Sequence, residues 1–359
     1  MGASLERRET TQVRVGAVCI GGGAPVSVQT MTNTDTCDVE ATLAQIRSAV
    51  GAGADIVRVA VPDAQAAAAL REIVPAAGVP VVADIHFDHR LAIAAAEAGA
   101  HKLRINPGNI GDDARLRAVV ETAAEQGIPI RIGVNSGSLE KDLLSKYGHP
   151  TAEALAESAV RNVERVRGMS FEDLVVSIKA PDVATTMAAN RAFAERSDIP
   201  LHLGITEAGI GRAAVVYSAV GIGALLAEGI GDTIRVSLTG GVVEEVLVGR
   251  EILLSLGLAA GPRLISCPTC ARCKVDLPAL AGEVEESLAG IDEPLVVAVM
   301  GCEVNGPGEA READVGLAAG AGRVALFRKG EIVRTVEASA ALEALRELIA
   351  EAAATFAER

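Results

Sequence analysis

The chain has 359 residues, half of them apolar, a formal net charge of −14 and no tryptophan. That length suits one large domain and a small one, with a core built from Ala, Val, Ile and Leu. The acidic balance argues against nucleic-acid binding. No run reaches the length of a membrane span, and no early segment has the form of a secretion signal. A cytoplasmic protein that binds no membrane is therefore expected. In that compartment six cysteines point to metal binding, catalysis or burial rather than to disulfides. Cys19 and Cys37 lie far from the others and read as isolated thiols.

The polar first residues read as loose. Gly21, Gly22 and Gly23 precede a strand instead of opening a helix, so they read as a turn. Apolar β-branched runs then recur at 25–32, 55–61, 80–86, 102–108, 129–135, 174–180, 201–207 and 233–239. Between them lie Ala-rich stretches, such as 112–126 and 181–195, with Ala, Leu, Glu and Arg at helical spacing. Eight strand–helix units predict an α/β fold, a (β/α)8 TIM barrel over residues 1–258. The competing doubly wound sheet would need a glycine-rich dinucleotide turn after its first strand, and none follows. Beyond Gly257, residues 259–262 read as a linker to a small α/β domain at 263–359. Its expected parts are a cysteine-rich loop, a helix at 277–289, a strand at 294–300 and a Gly-Pro-Gly loop. A hairpin of 323–327 with 332–336 and a closing helix at 338–357 complete it.

Parallel barrel strands are buried on both faces and should be almost wholly apolar. Here Arg58 interrupts one strand, and Lys102, Arg104 and Asn106 alternate on another. Arg131, Gly133 and Asn135 alternate on a third; Asp84 with His86, Ser177 with Lys179, and Arg235 with Ser237 share faces on others. Period-two spacing puts each set on one side of its strand. Salt bridging to buried acids would account for any single cation. Six cations on five strands, with few acids beside them, instead describe an electropositive barrel mouth for a small polyanion. Lys102 and Arg131 lie early in their strands and fit that mouth least well. Glu207, after the seventh strand, reads equally as a proton-shuttling carboxylate or as an acid at a helix N-terminus. His86 and His89 could be ligands but read more simply as structural hydrogen-bonding groups; His101, His149 and His202 show no ligand spacing, and no histidine is assigned to a metal.

In the small domain, Cys267 and Cys270 form a Cys-x-x-Cys pair, and Cys302 lies in a glycine- and proline-shaped loop. Such thiolates can reach one metal centre. Three thiols do not complete a four-coordinate site. Cys273 or Glu309 could supply the fourth ligand, or the position could stay open. Spacing alone suits zinc and an iron–sulfur cluster equally, but does not match the Cys-x3-Cys-x2-Cys run of radical adenosylmethionine enzymes.

The chain resembles the bacterial 4-hydroxy-3-methylbut-2-en-1-yl diphosphate synthases nearly end to end. The likeness is carried by Val-Gln-Thr-Met-Thr-Asn-Thr-Asp-Thr at 28–36, Ala-Asp-Ile-His-Phe at 83–87 and Arg-Ile-Asn-Pro-Gly-Asn at 104–109. It continues in His-Leu-Gly-Ile-Thr-Glu-Ala-Gly at 202–209, Ser-Cys-Pro-Thr-Cys at 266–270 and Gly-Cys-Glu-Val-Asn-Gly-Pro-Gly-Glu at 301–309. The resemblance implies a [4Fe-4S] cluster held by Cys267, Cys270, Cys302 and Glu309, although Cys273 keeps the fourth position open. It implies reductive ring opening of 2-C-methyl-D-erythritol 2,4-cyclodiphosphate, with electrons from ferredoxin or flavodoxin. Arg58, Arg104, Asn106, Arg131, Asn135, Lys179, Arg235 and Ser237 would line the diphosphate pocket. Glu207 would have a proton or hydroxyl role. Glu309, a harder ligand than a thiolate, would be the one to yield its place to substrate. The resemblance also implies a homodimer in which one subunit's cluster domain caps the other's barrel. Two rival readings come from other classes: a zinc-stapled lyase or aldolase acting on a sugar phosphate through Lys179, and a non-catalytic electron-transfer protein.

Overall fold

The computed structural model describes residues 5–302, 311–320 and 322–357. The chain divides into two compact units, Met1–Ala259 and Ala260–Arg359. Glu309 lies outside the described residues.

The first unit opens with an antiparallel hairpin, Val13–Val15 with Val18–Ile20. Gly21, Gly22 and Gly23 follow, all with positive φ, a backbone that glycine adopts without steric cost. Eight strands then build the barrel: β1 (Ser27–Met31), β2 (Ile56–Ala60), β3 (Val81–Asp84), β4 (Lys102–Ile105), β5 (Ile130–Asn135), β6 (Leu174–Lys179), β7 (His202–Leu203) and β8 (Thr233–Ile234). Each pairs in parallel with its neighbour from β1 to β6, and β8 joins β7 to β1. A single parallel bridge between Val176 and Leu201 closes the ring.

Alternate strand residues, such as Val57, Ala83, Leu103, Ile132 and Val176, pack in the main core with the surrounding helices. The intervening positions face into the barrel. Ile56, Val82 and Val175 occupy them near the strand starts and pack against Val13, Val15 and Ile20 of the hairpin. An apolar layer therefore closes the N-terminal end of the barrel. At the other end, Asp38, Asp63, Asp88, Asp112, Thr151 and Asp182 cap six helices by accepting backbone N–H bonds. Each such cap contributes about 1 kcal/mol and fixes where the chain turns away from the mouth.

Some local structure departs from the expectation. β7 and β8 are much shorter than the apolar runs 201–207 and 233–239, because the residues beyond them leave the ladder to form the polar rim. The connection after β5 carries two helices, Lys141–Tyr147 and Ala152–Arg167, and that after β4 begins with a one-turn helix, Pro107–Ile110.

The second unit is a five-stranded sheet: β9 (Arg263–Ser266), β10 (Val296–Met300), β11 (Val315–Ala319), β12 (Arg323–Arg328) and β13 (Glu331–Glu337), in that order. The first three are parallel and the last two antiparallel. Helices Leu277–Ser287 and Ala341–Ala357 bury Leu277, Val284, Leu345 and Ile349 against Val297 and Leu317. Among the described residues, no helix is long and apolar enough to cross a membrane.

Candidate active site

The inward positions of the strands assemble into a charged interior above the apolar floor. Arg58, Lys102, Arg104, Arg131 and Lys179 are all buried there, and Arg235 joins them at the end of β8. Two buried carboxylates accompany them. Asp84 accepts from Arg104 Nη1 at 3.1 Å, lies 4.0 Å from Arg58 Nε and contacts His86 Nε2 at 3.2 Å. Glu245, on the helix after β8, pairs with Arg235 Nη2 at 3.1 Å. Among the described residues, six cations against two carboxylates leave a strong positive excess inside the barrel.

That excess shows in the ionisation of the groups. Burial, reinforced by Arg58, Arg131, Arg235 and Arg104, pushes the Lys179 ammonium well below its ordinary pKa. Burial with Arg131 and Arg58 does the same to Lys102. Arg58 falls to about 10, chiefly through burial, although Asp84 opposes the shift. Burial alone would raise Asp84, but Arg58, His86 and Arg104 outweigh it and hold the carboxyl well below the usual range. A second anion entering this space would be stabilised by the same field.

The barrel opens into a cavity of about 420 Å³ lined by Arg58, Arg104, Asn135, Lys179, Arg235 and Ser237, with Asp84, Glu245 and Glu207 at its edges. An adjoining cavity of about 400 Å³ shares Arg104, Asn135, Lys179 and Glu207 and adds Asn106. Asn106 also caps the short helix through Gly108 N–H and donates to Ser138 Oγ at 3.0 Å. Arg131 lines neither cavity. It is fully buried beside Arg104 in the register of β4 and β5, with Nε and Nη1 lacking hydrogen-bond partners among the described residues. Lys102 lies at the start of β4, equally buried, and its Nζ has no hydrogen-bond partner among the described residues.

Two glycines make this packing possible. A Cβ on Gly133 would come within 2.6 Å of Arg104 Nε, and one on Gly204 within 2.7 Å of Lys179 Nζ. Glu207 stands outside the helix Gly211–Ala227, in left-handed backbone at φ 55°. It is therefore not a helix N-terminal acid. It borders both cavities, in a conformation that non-glycine residues adopt at a cost.

Glu245 was not evident as a site residue from sequence. Its signal was there: it falls with Val242, Val246, Gly249 and Ile252 on the buried face of its helix, where an acid needs a partner.

In the second unit, the loop after β9 folds against Gly301. Gly301 N–H donates to Cys267 Sγ at 3.4 Å, and Lys274 N–H to the Gly301 carbonyl at 2.9 Å. These bonds bring the Cys-x-x-Cys loop to the chain segment that carries the buried Cys302. The Cys273 thiol donates to the Val275 carbonyl at 3.2 Å, and its sulfur fills the space a Cβ on Gly301 would need. Cys270 is exposed. Among the described residues, no group of three or more His, Cys, Asp or Glu is arranged to enclose a metal ion. The donor types, thiols with a backbone N–H directed at one sulfur, fit a soft metal or iron–sulfur centre.

A closed barrel with a cationic mouth, joined to a separate cysteine-bearing unit, defines a TIM-barrel enzyme class that handles small polyanions. Two family models match the chain: the GcpE TIM-barrel domain over residues 10–250 and the GcpE protein C-terminal domain over 263–351. The chain belongs to the GcpE family. It is 56% identical to the 4-hydroxy-3-methylbut-2-en-1-yl diphosphate synthase (flavodoxin) of Geobacter sulfurreducens, over 98% of this chain and 99% of that one. It is 55% identical to the enzyme of the same name from Natranaerobius thermophilus, over 96% and 97%. Among solved structures, the dihydropteroate synthase of Yersinia pestis matches at a TM-score of 0.50 and 14% identity, over 68% of this chain and 97% of that one. The N-acetylneuraminic acid synthetase of Leptospira borgpetersenii matches at 0.51 and 12%, over 70% and 92%. At such identities the likeness is one of fold.

Proposed function

We propose that the chain catalyses the reductive ring opening of 2-C-methyl-D-erythritol 2,4-cyclodiphosphate to 4-hydroxy-3-methylbut-2-enyl diphosphate, a step of isoprenoid biosynthesis. The observation that carries this reading is the excess of buried cations around a cavity sized for one small diphosphate, in a chain of the GcpE family. Arg58, Arg104, Lys179, Arg235 and Ser237 bind the diphosphate oxygens. Arg131 adds to the field from below. Asn106 and Asn135 orient the carbon skeleton through its hydroxyls. Clamping both phosphates fixes the ring bond that must break and holds the departing hydroxyl in one direction. Glu207, which borders both cavities, passes a proton to that hydroxyl as it leaves as water.

The overall change consumes two electrons. A [4Fe-4S] cluster, when bound by Cys267, Cys270, Cys302 and Glu309, supplies electrons one at a time. The engagement of the Cys273 thiol with Val275 supports Glu309 as the fourth ligand. Flavodoxin, named for the relatives, is the proposed electron donor. The active unit is a homodimer in which the cysteine-bearing unit of one subunit completes the barrel site of the other. Neither rival is favoured by family membership across both units: not a zinc-stapled aldolase using Lys179, and not an electron carrier without a substrate.

Anaerobically purified protein, reduced flavodoxin and the cyclodiphosphate should together yield the allylic diphosphate, with iron and acid-labile sulfide in the protein. A colourless zinc protein, or trapping of substrate on Lys179 by borohydride, would overturn the proposal.

A further inference from the structure

Glu245 lies one turn into helix Val242–Ser255 and is only 5% exposed. Its Oε1 accepts from Leu238 N–H at 3.1 Å and from Arg235 Nη2 at 3.1 Å. Its Oε2 accepts from the Thr30 hydroxyl at 2.8 Å and from Arg235 Nη2 and Nε at 3.3 and 3.4 Å. The carboxylate thus ties together β1, the end of β8 and the loop that carries Ser237. It also borders the cavity, where its charge repels any polyanion. A group that opposes the ligand and still sits in the binding layer needs another reason to be there.

The geometry points to Glu245 as a positioning residue for Arg235 and Ser237. It occupies the Nε–Nη2 edge of the guanidinium and leaves Nη1, which donates only a long 3.9 Å contact to Met31 Sδ, on the opposite side of the fork. A planar fork held along one edge offers the other in a fixed direction. The Leu238 N–H bond sets the path of the Arg235–Leu238 segment in the same act, so Ser237 is placed with Arg235. Thr30 locks the carboxylate rotamer.

This inference rests on the reading of the cavity as a diphosphate site. Its test is a double-mutant cycle on the full-length protein, using Glu245→Gln, Arg235→Ala and the pair. Equilibrium binding of the cyclodiphosphate and of inorganic pyrophosphate is measured for each. Glu245→Gln should weaken binding about tenfold, the worth of a misdirected charge-assisted hydrogen bond. In the Arg235→Ala background only the smaller part of the loss, the part that passes through the Leu238 N–H bond to Ser237, should remain. Glu245→Asp, which keeps the charge, should recover part of the loss and serves if the Gln variant folds poorly.

Tighter binding by Glu245→Gln would overturn the inference, because the carboxylate would then merely offset cavity charge. An equal loss with and without Arg235 would also overturn it, since the effect would not pass through Arg235. Wild-type protein that binds pyrophosphate but not the cyclodiphosphate would refute the proposed substrate, while the cycle on pyrophosphate would still decide the role of Glu245. Wild-type protein that binds neither would refute both.

Discussion

Lys102 shows what the barrel tolerates for the sake of its field. Its ammonium is buried without a hydrogen-bond partner among the described residues, beside Arg131 and Arg58, and its pKa falls well below 10.5. The unfolded chain keeps that proton to about 10.5, whereas the folded chain releases it earlier. Between the two values the unfolded state binds more protons, so this group makes stability rise with pH. Lys102→Met should therefore be more stable than wild type at neutral pH, by about 2–4 °C in Tm for each kcal/mol regained. The advantage should shrink as pH approaches the ordinary lysine value. Urea midpoints for both proteins from pH 6 to 10 check this; a difference that does not vary with pH would refute it. The alternation Lys102-Leu103-Arg104-Ile105-Asn106 made the inward face legible in the sequence. Depth was legible only in part: Lys102 and Arg131 stand early in their strands, but the register between strands sets which groups meet, so that Arg104 lies beside Arg131, while Asn135 lies beside Lys179. Glu245 is hidden in the sequence for a related reason, since a helix outside the barrel carries it to the mouth.

The strands themselves set how many cations fit, and their glycines are the means. Gly133 on β5 leaves room for the Arg104 guanidinium, which Asp84 pins in place. A methyl there would push Arg104 off Asp84, yet the displaced group is the end of a side chain. Gly204, just past β7, would collide at 2.6 Å with the Arg235 carbonyl as well as with Lys179. Backbone cannot yield as a side chain does. Gly133→Ala should therefore fold with a modest loss, about 1–3 kcal/mol, and bind substrate at least several-fold more weakly. Gly204→Ala should lose clearly more stability. Thermal midpoints and cyclodiphosphate binding measured together test the contrast, and unchanged binding by Gly133→Ala would refute it. At this scale the barrel was readable because each strand–helix unit repeats one pattern, with Asp or Thr caps at most helix starts. The second unit was less so. β10, the β12–β13 hairpin and both helices follow their local signals. β11 is a short run of small residues, and β9 opens on an arginine. β9 owes its strand form to parallel pairing with β10, a segment distant from it in sequence, and β11 is held between β10 and β12.

For the whole molecule, the proposed function has the barrel cavity and the cysteine-bearing unit serve one substrate. The cations that would hold a diphosphate belong to Met1–Ala259, and Cys267, Cys270 and Cys302 to Ala260–Arg359. A protein with Arg104→Ala keeps intact cysteines and a damaged pocket; one with Cys270→Ala has the reverse. If each site formed within one chain, a mixture of the two could never contain an intact site. If sites form across a homodimer, random exchange makes half of the dimers mixed. Each mixed dimer then holds one site with both defects and one with neither. The mixture should recover about a quarter of wild-type specific activity at full exchange, whereas each variant alone stays inactive. Turnover after co-refolding or co-expression, with mixed dimers counted by differently tagged subunits, measures this. Abundant mixed dimers without activity would place the whole site in one chain, and Arg104 would then have to meet the cysteines of its own subunit.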